Sequence, residues 1–125
     1  MKKIIATSAA PAAIGPYSQG VDGGSVVITS GQLPIDPATG AFAAGGVAGQ
    51  TRQSLENVKA ILAQAGLGLE NVIKTTVFLK DMNDFAAMNE AYAAFFPAEP
   101  PARSAVEVAR LPKDALVEIE AIAVP

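Results

Sequence analysis

The segment NVIKTTVFLKDMNDFAAMNEAYAAFFP, residues 71–97, changes its hydrophobic period in mid-course. Ile73, Thr75, Val77 and Leu79 fall on one side of a two-residue repeat, and Lys74, Thr76, Phe78 and Lys80 on the other. This pattern predicts a strand whose second face is mixed rather than fully wet. From Phe85 onward the period lengthens. Phe85, Met88, Tyr92 and Phe95 recur at helical spacing, Asp81 or Asn83 stands where a cap belongs, and Pro97 lies beyond the end. A strand running straight into an amphipathic helix needs a sheet for the helix to cover, and the flanking sequence supplies one.

Upstream, TRQSLENVKAILAQAG (51–66) places Leu55, Val58, Ile61, Leu62 and Ala65 on one helical stripe, with Gly66 as its stop. Further back, the Gly-Gly of VDGG (21–24) predicts a turn between strands near 17–22 and 25–31. The Ala/Gly-rich TGAFAAGGVAG (39–49) is expected to be a flexible surface loop. Downstream, ARSAVEVAR (102–110) and ALVEIEAIAV (115–124) predict two more strands joined by the turn LPKD. The order ββ(β)αβαββ lets two similar helices cover one face of a single sheet. The other face would hold Ile122, Phe78, Arg103, Glu118 and Glu120, a poor solvent surface but a good self-association surface.

With 125 residues the chain has the length of one domain, and residues 1–125 are taken as such. It contains no Cys and no His, so thiol nucleophiles, Ser-His-Asp relays, zinc fingers and histidine metal sites are outside its inventory. A formal charge of −3 gives no pull toward phosphate backbones, so no nucleic acid partner is expected. Neither a signal peptide nor a membrane span is recognisable, and a soluble cytoplasmic protein is the expectation. GVDGG lacks the Lys and helix of a phosphate loop, and no cofactor is indicated.

The candidate chemistry is sparse. Glu118 and Glu120 stand at i and i+2 on a strand, roughly 7 Å apart. They read as an acid/base pair or as two solvated carboxylates. Arg103 reads as a salt-bridge residue or as a receptor that grips a small carboxylate with both arms of its fork. Ser30 and Gly31 end a β-branched strand, where a glycine N–H approaches a ligand closely. Tyr17 follows Gly-Pro and would cap a pocket or simply pack, and Asn89 interrupts an apolar helix stripe.

Together, IGPYSQG (14–20), ITSGQLPIDPATG (28–40), QTRQSLENVKAIL (50–62), VIKTTVFLKDMNDFAAMNEAY (72–92) and PARSAVEVARLPKDALVEIEAIAV (101–124) resemble the RidA/YjgF family of reactive-intermediate deaminases. The resemblance implies an α+β, chorismate-mutase-like fold: a six-stranded mixed sheet with two helices on one face. It also implies a homotrimer closed through the bare sheet faces. The implied activity is cofactor-free hydrolysis of 2-iminobutanoate and 2-iminopropanoate to 2-keto acids and ammonia, which protects other enzymes from 2-aminoacrylate-type damage. On this resemblance Arg103 binds the substrate carboxylate and Glu118 serves the reacting carbon. Tyr17, Ser30, the Gly31 N–H and Asn89 line a pocket between subunits. Many members carry Cys or Thr where this chain has Ala105, so only the backbone carbonyl of that position could contribute. Two other readings stay open: an endoribonuclease or translation inhibitor, and a non-catalytic small-carboxylate-binding or holdase protein.

Overall fold

The computed structural model describes residues 1–125. Six strands form one sheet: β1 (Lys3–Ile5), β2 (Gly20–Asp22), β3 (Val27–Thr29), β4 (Val72–Leu79), β5 (Ala102–Glu107) and β6 (Val117–Ala123). Helix α1 (Gly46–Gln64) connects β3 to β4, and α2 (Phe85–Ala93) connects β4 to β5. The sheet order is β1-β2-β3-β6-β4-β5. Every pairing is antiparallel except β4 with β5, the pair that α2 bridges, since parallel neighbours need a long crossover.

Both helices lie on one face. Leu55, Val58, Ile61 and Leu62 of α1, Met88 of α2, Val77 and Leu79 of β4, and Val117 and Ile119 of β6 are fully buried against one another. Gly66 ends α1 as expected, in a left-handed conformation (φ 78°). Its N–H donates to the Ala63 carbonyl, and the Leu67 N–H reaches back to Leu62, which satisfies the last carbonyls of the helix. The Asp81 side chain accepts from the Asn83 N–H and caps a 3₁₀ turn, Met82–Asp84, that runs into α2.

Three expectations about these elements need correction. First, α1 begins at Gly46, inside the segment anticipated as a flexible loop. Gly45 makes the left-handed entry (φ 103°), and a Cβ on Gly49 would lie 1.9 Å from the Ala44 carbonyl oxygen, so glycines admit the first turn here. Second, Ile73 is exposed and Val72 is buried in its place, because a bulge between Val72 and Lys74 shifts the register against β6. Third, Phe96 is the buried aromatic at the end of α2, and Phe95 is only partly covered. The strands that LPKD joins are not neighbours in the sheet, since β4 lies between β5 and β6.

The uncovered face carries a rung of Ile4, Val21, Ile28 and Ile122 in direct register across four strands. Ile4, Ile28 and Ile122 are 57, 45 and 36% exposed. Phe78, Glu118 and Glu120 share this face as expected, but Arg103 does not. Arg103 pairs with Thr75, whose side chain is fully buried on the helix side, and therefore points under α2.

Candidate active site

Strand β4 fixes where the two charged candidates stand. Arg103 is level with Thr75 and Glu118 with Phe78, three residues further along β4. An odd separation along a strand means opposite faces, so Arg103 and Glu118 of one chain cannot meet.

Glu118 opens onto a cavity of about 330 Å³ that Tyr17, Ser30, Gly31, Leu33 and Pro112 also line. The β6 backbone sets its height: Gln32 and Ile119 exchange N–H···O=C bonds of 2.7 and 3.2 Å, which brings Gly31 alongside Glu118. A Cβ on Gly31 would stand 2.0 Å from Glu118 Oε2, so the carboxyl group occupies the space that the missing side chain leaves. The Gly31 N–H has no acceptor within the chain. Ser30 donates its hydroxyl to the Ser18 carbonyl at 2.6 Å, and its N–H to the Gln19 carbonyl at 2.8 Å. Tyr17 accepts the Ile14 N–H on its hydroxyl at 3.1 Å, which folds residues 14–17 into a turn and stands the ring, half exposed, at the cavity wall.

Burial pushes the Glu118 carboxyl above the ordinary carboxylate range, and the neighbouring Glu120 charge pushes it further the same way. A carboxyl group raised in this manner, accepting no hydrogen bond within the chain, holds a proton more readily than an ordinary surface glutamate and is a stronger base.

Arg103 lies in a second hollow, of about 560 Å³, lined also by Asn89, Tyr92, Phe96, Pro100 and Pro101. No carboxylate pairs with it; the single ion pair of the chain is Arg110 with Asp114 at the surface. Its guanidinium carbon lies 4.8 Å from the Tyr92 ring centroid and 5.4 Å from that of Phe85, and Nη1 is 4.0 Å from Met88 Sδ. Ala105 follows two residues on, half-buried against the core beneath the same helices. The residues anticipated for one site therefore form two groups within the chain. Tyr17, Ser30, Gly31 and Glu118 make one, and Asn89, Arg103 and Ala105 the other.

Several residues that shape these hollows escaped the sequence reading. Gln19, nearly fully buried, donates to the carbonyls of Thr7, Ala10 and Pro11 and accepts from the Thr7 N–H, pinning residues 7–11 to the cavity rim. Asn57, fully buried on α1, donates to the carbonyls of Leu33 and Ile35 at 3.0 and 2.9 Å and holds the opposite wall. The signal for Asn57 was present: Gln50, Ser54 and Asn57 recur at helical spacing, a polar stripe beside the apolar one. No cluster of three or more Asp or Glu side chains is assembled that could hold a metal ion. No helix is long and apolar enough to cross a membrane.

Comparison with known proteins places this geometry in context. The family described as endoribonuclease L-PSP matches residues 7–125. A Salmonella typhimurium protein named 2-iminobutanoate/2-iminopropanoate deaminase is 66% identical over 127 residues, covering 99% of this chain and 98% of its own. The crystal structure of the Escherichia coli YjgF gene product is 63% identical with a TM-score of 0.94, covering 98% of both chains. That of Escherichia coli TdcF, determined with bound serine, is 60% identical with a TM-score of 0.95, again over 98% of both.

Proposed function

Since the chain belongs to the RidA/YjgF family, whose matching description is endoribonuclease L-PSP, we propose that it hydrolyses 2-imino acids such as 2-iminobutanoate and 2-iminopropanoate to 2-keto acids and ammonia. The observation that carries this reading is the 66% identity, over nearly the whole length, to a relative of that name. The geometry supplies the parts. Arg103 offers N–H donors that no carboxylate of its own chain occupies, and a 2-imino acid brings a carboxylate. Serine bound to the TdcF relative is likewise a small amino acid carrying a carboxylate.

In the proposed reaction, Arg103 holds the substrate carboxylate and so fixes the C=N carbon beside a water molecule. As the water oxygen bonds to that carbon, Glu118 takes one of its protons and a carbinolamine forms. Glu118 then gives the proton to the nitrogen, and as the C–N bond breaks and ammonia leaves, the Glu118 carboxylate takes the hydroxyl proton, which leaves the C=O of the keto acid. That proton passes to the departing ammonia as ammonium and frees the carboxylate again. Gly31 lines the same cavity and its N–H has no internal acceptor, which supports its role in this reaction as donor to the oxygen as charge builds on it. Tyr17 and Ser30 wall the site on the Glu118 side, and Asn89 and the Ala105 carbonyl on the Arg103 side. Protonated imines already react with water, so the enhancement of about 10² to 10⁴ typical of positioned acid–base groups is sufficient.

Because Arg103 and Glu118 of one chain face opposite ways, a working site takes Arg103 from one copy and Glu118 from another. We accordingly propose a soluble cytoplasmic homotrimer whose subunits meet through the Ile4–Val21–Ile28–Ile122 face and complete three sites between them. The family description also names RNA cleavage. With a net charge of −3 and no histidine, the chain lacks both an electrostatic guide to RNA and the usual imidazole acid/base.

The test couples a threonine dehydratase, which generates the imine, to semicarbazide as a competing trap, and follows 2-oxobutanoate release with and without this protein. Acceleration that disappears in Arg103→Ala is the expected result. No acceleration by the wild type would refute the reading, and ribonuclease activity surviving in rigorously purified Arg103→Ala would favour the other one.

A further inference from the structure

We propose that Tyr92, set by Thr75, is a positioning residue that holds the Arg103 guanidinium in the orientation from which it takes a carboxylate. The proposal rests on the carboxylate-receptor reading of Arg103 given above. A guanidinium that is half-buried needs its charge compensated, and a carboxylate partner would do so at the expense of its N–H donors. Here the compensation comes from ring faces instead. Tyr92 and Phe85 lie 4.8 and 5.4 Å from the guanidinium carbon, and ring faces attract a cation without accepting its in-plane hydrogen bonds as a carboxylate does. The nearest acceptor on Nη1 is a thioether, Met88 Sδ at 4.0 Å, which is a weak one. The fork is thus oriented and left open.

The Tyr92 ring is in turn fixed by the strand that carries the rung of Arg103. Its hydroxyl lies 2.6 Å from Thr75 Oγ1, and Thr75 is the β4 residue directly paired with Arg103. The anchor of the ring and the root of the arginine therefore stand side by side on adjacent strands. Burial raises the Tyr92 phenol above its usual range, partly opposed by the Thr75 hydrogen bond and by the Arg103 charge. The ring accordingly acts on Arg103 as a neutral π face throughout the working range of pH.

Tyr92 also packs in the core against Phe96, with ring centroids 4.8 Å apart and planes tilted by 36°, and the experiment must separate that role from the proposed one. Binding of 2-oxobutanoate is measured calorimetrically for wild type, Tyr92→Leu, Arg103→Ala and the double variant, with circular dichroism as the control for folding. The expected result is a loss of about tenfold in affinity for Tyr92→Leu, and less than about twofold when the same change is made in Arg103→Ala. Should Tyr92→Leu fail to fold, Thr75→Val and Tyr92→Phe give the same answer: each is expected to raise KM by about two- to fivefold with kcat held, and the pair to do no more than one alone. Tyr92→Leu binding within twofold of wild type, or weakening equally with and without Arg103, overturns the proposal, as does a KM that neither milder variant moves. An active wild type with silent Tyr92 and Thr75 variants removes only the positioning role. A protein that binds 2-oxobutanoate through Arg103 and Tyr92 yet hydrolyses no imine removes only the deaminase reading.

Discussion

Gly31→Ala isolates the contact on which the proposed chemistry turns. The added Cβ would fall 2.0 Å from Glu118 Oε2, 2.9 Å from Cδ and 3.2 Å from Cγ. Restoring an ordinary contact of 3.4 Å at Oε2 alone requires a shift of roughly 1.4 Å in the carboxyl group. A misplacement of about 1 Å in a reacting group costs on the order of 10²-fold in rate, so kcat/KM should fall by about that factor or more. Stability should hardly change. Gly31 is not in the left-handed region, so alanine is tolerated there, and the clash is with the far end of a side chain that can rotate away at a cost of about 1 kcal/mol. The melting temperature should then stay within a few degrees of wild type. Keto-acid release in the coupled assay gives the first quantity and a thermal melt the second. In the Glu118→Gln background the Gly31 change should have no further effect, since it acts through that carboxyl group. A Gly31→Ala enzyme within threefold of wild type would show that Glu118 need not stand where the structure puts it.

Three further outcomes follow from the same geometry. Glu118 retains its proton in the folded state over the interval between the ordinary and the raised pKa, where the unfolded chain has released it, so stability declines as pH rises through that interval. Glu118→Gln should therefore flatten the pH dependence of chemical denaturation while cutting activity to a residual level, and Glu120→Gln should shift the acidic limb of the rate profile to lower pH, since that limb reports deprotonation of the Glu118 base. Arg103→Ala should lose about 30- to 1,000-fold in kcat/KM, and Arg103→Lys should recover less than a tenth of it, because an ammonium cannot reproduce the two-armed grip. Ile28→Asp places a charge on the uncovered rung; light scattering should return a mass near 12.7 kDa, and imine hydrolysis should vanish with the assembly.

The period change at residues 71–97 was enough to place β4 and α2, and with them the layer of helices on one sheet face, because side-chain alternation is a local property. What failed was non-local. Alternation shows that Arg103, Ala105 and Glu107 share a face, but which face is decided by their pairing with Thr75, Val77 and Leu79 of β4, some thirty residues away. Ile73 was misplaced by a bulge that leaves no mark in its own sequence. The start of α1 was hidden because Gly and Ala carry no hydrophobic period, although the glycines themselves make the entry possible. Glu118 and Arg103 stood out in the sequence as charges on strands, and Gly31 as a glycine just after one, but alternation alone left their roles open. The contact between Gly31 and Glu118 was not readable, for it depends on the bridge between Gln32 and Ile119.

The opposite placement of Arg103 and Glu118 also answers a difficulty that any site with one cation and one base must meet. Side by side in a single chain they would form a salt bridge. The guanidinium would then lower the carboxyl pKa, and the carboxylate would occupy the donors needed for substrate. The sheet keeps them apart: ring faces balance the arginine on one side, and burial keeps the glutamate basic on the other. Under the proposed assembly they approach only across a subunit boundary, where a substrate carboxylate can take the arginine before the glutamate does. Activity should then depend on protein concentration more steeply than first order below the dissociation constant of the assembly. A mixture of Arg103→Ala and Glu118→Gln subunits, each strongly impaired alone, should regain part of the rate, since some boundaries would pair an intact arginine with an intact glutamate.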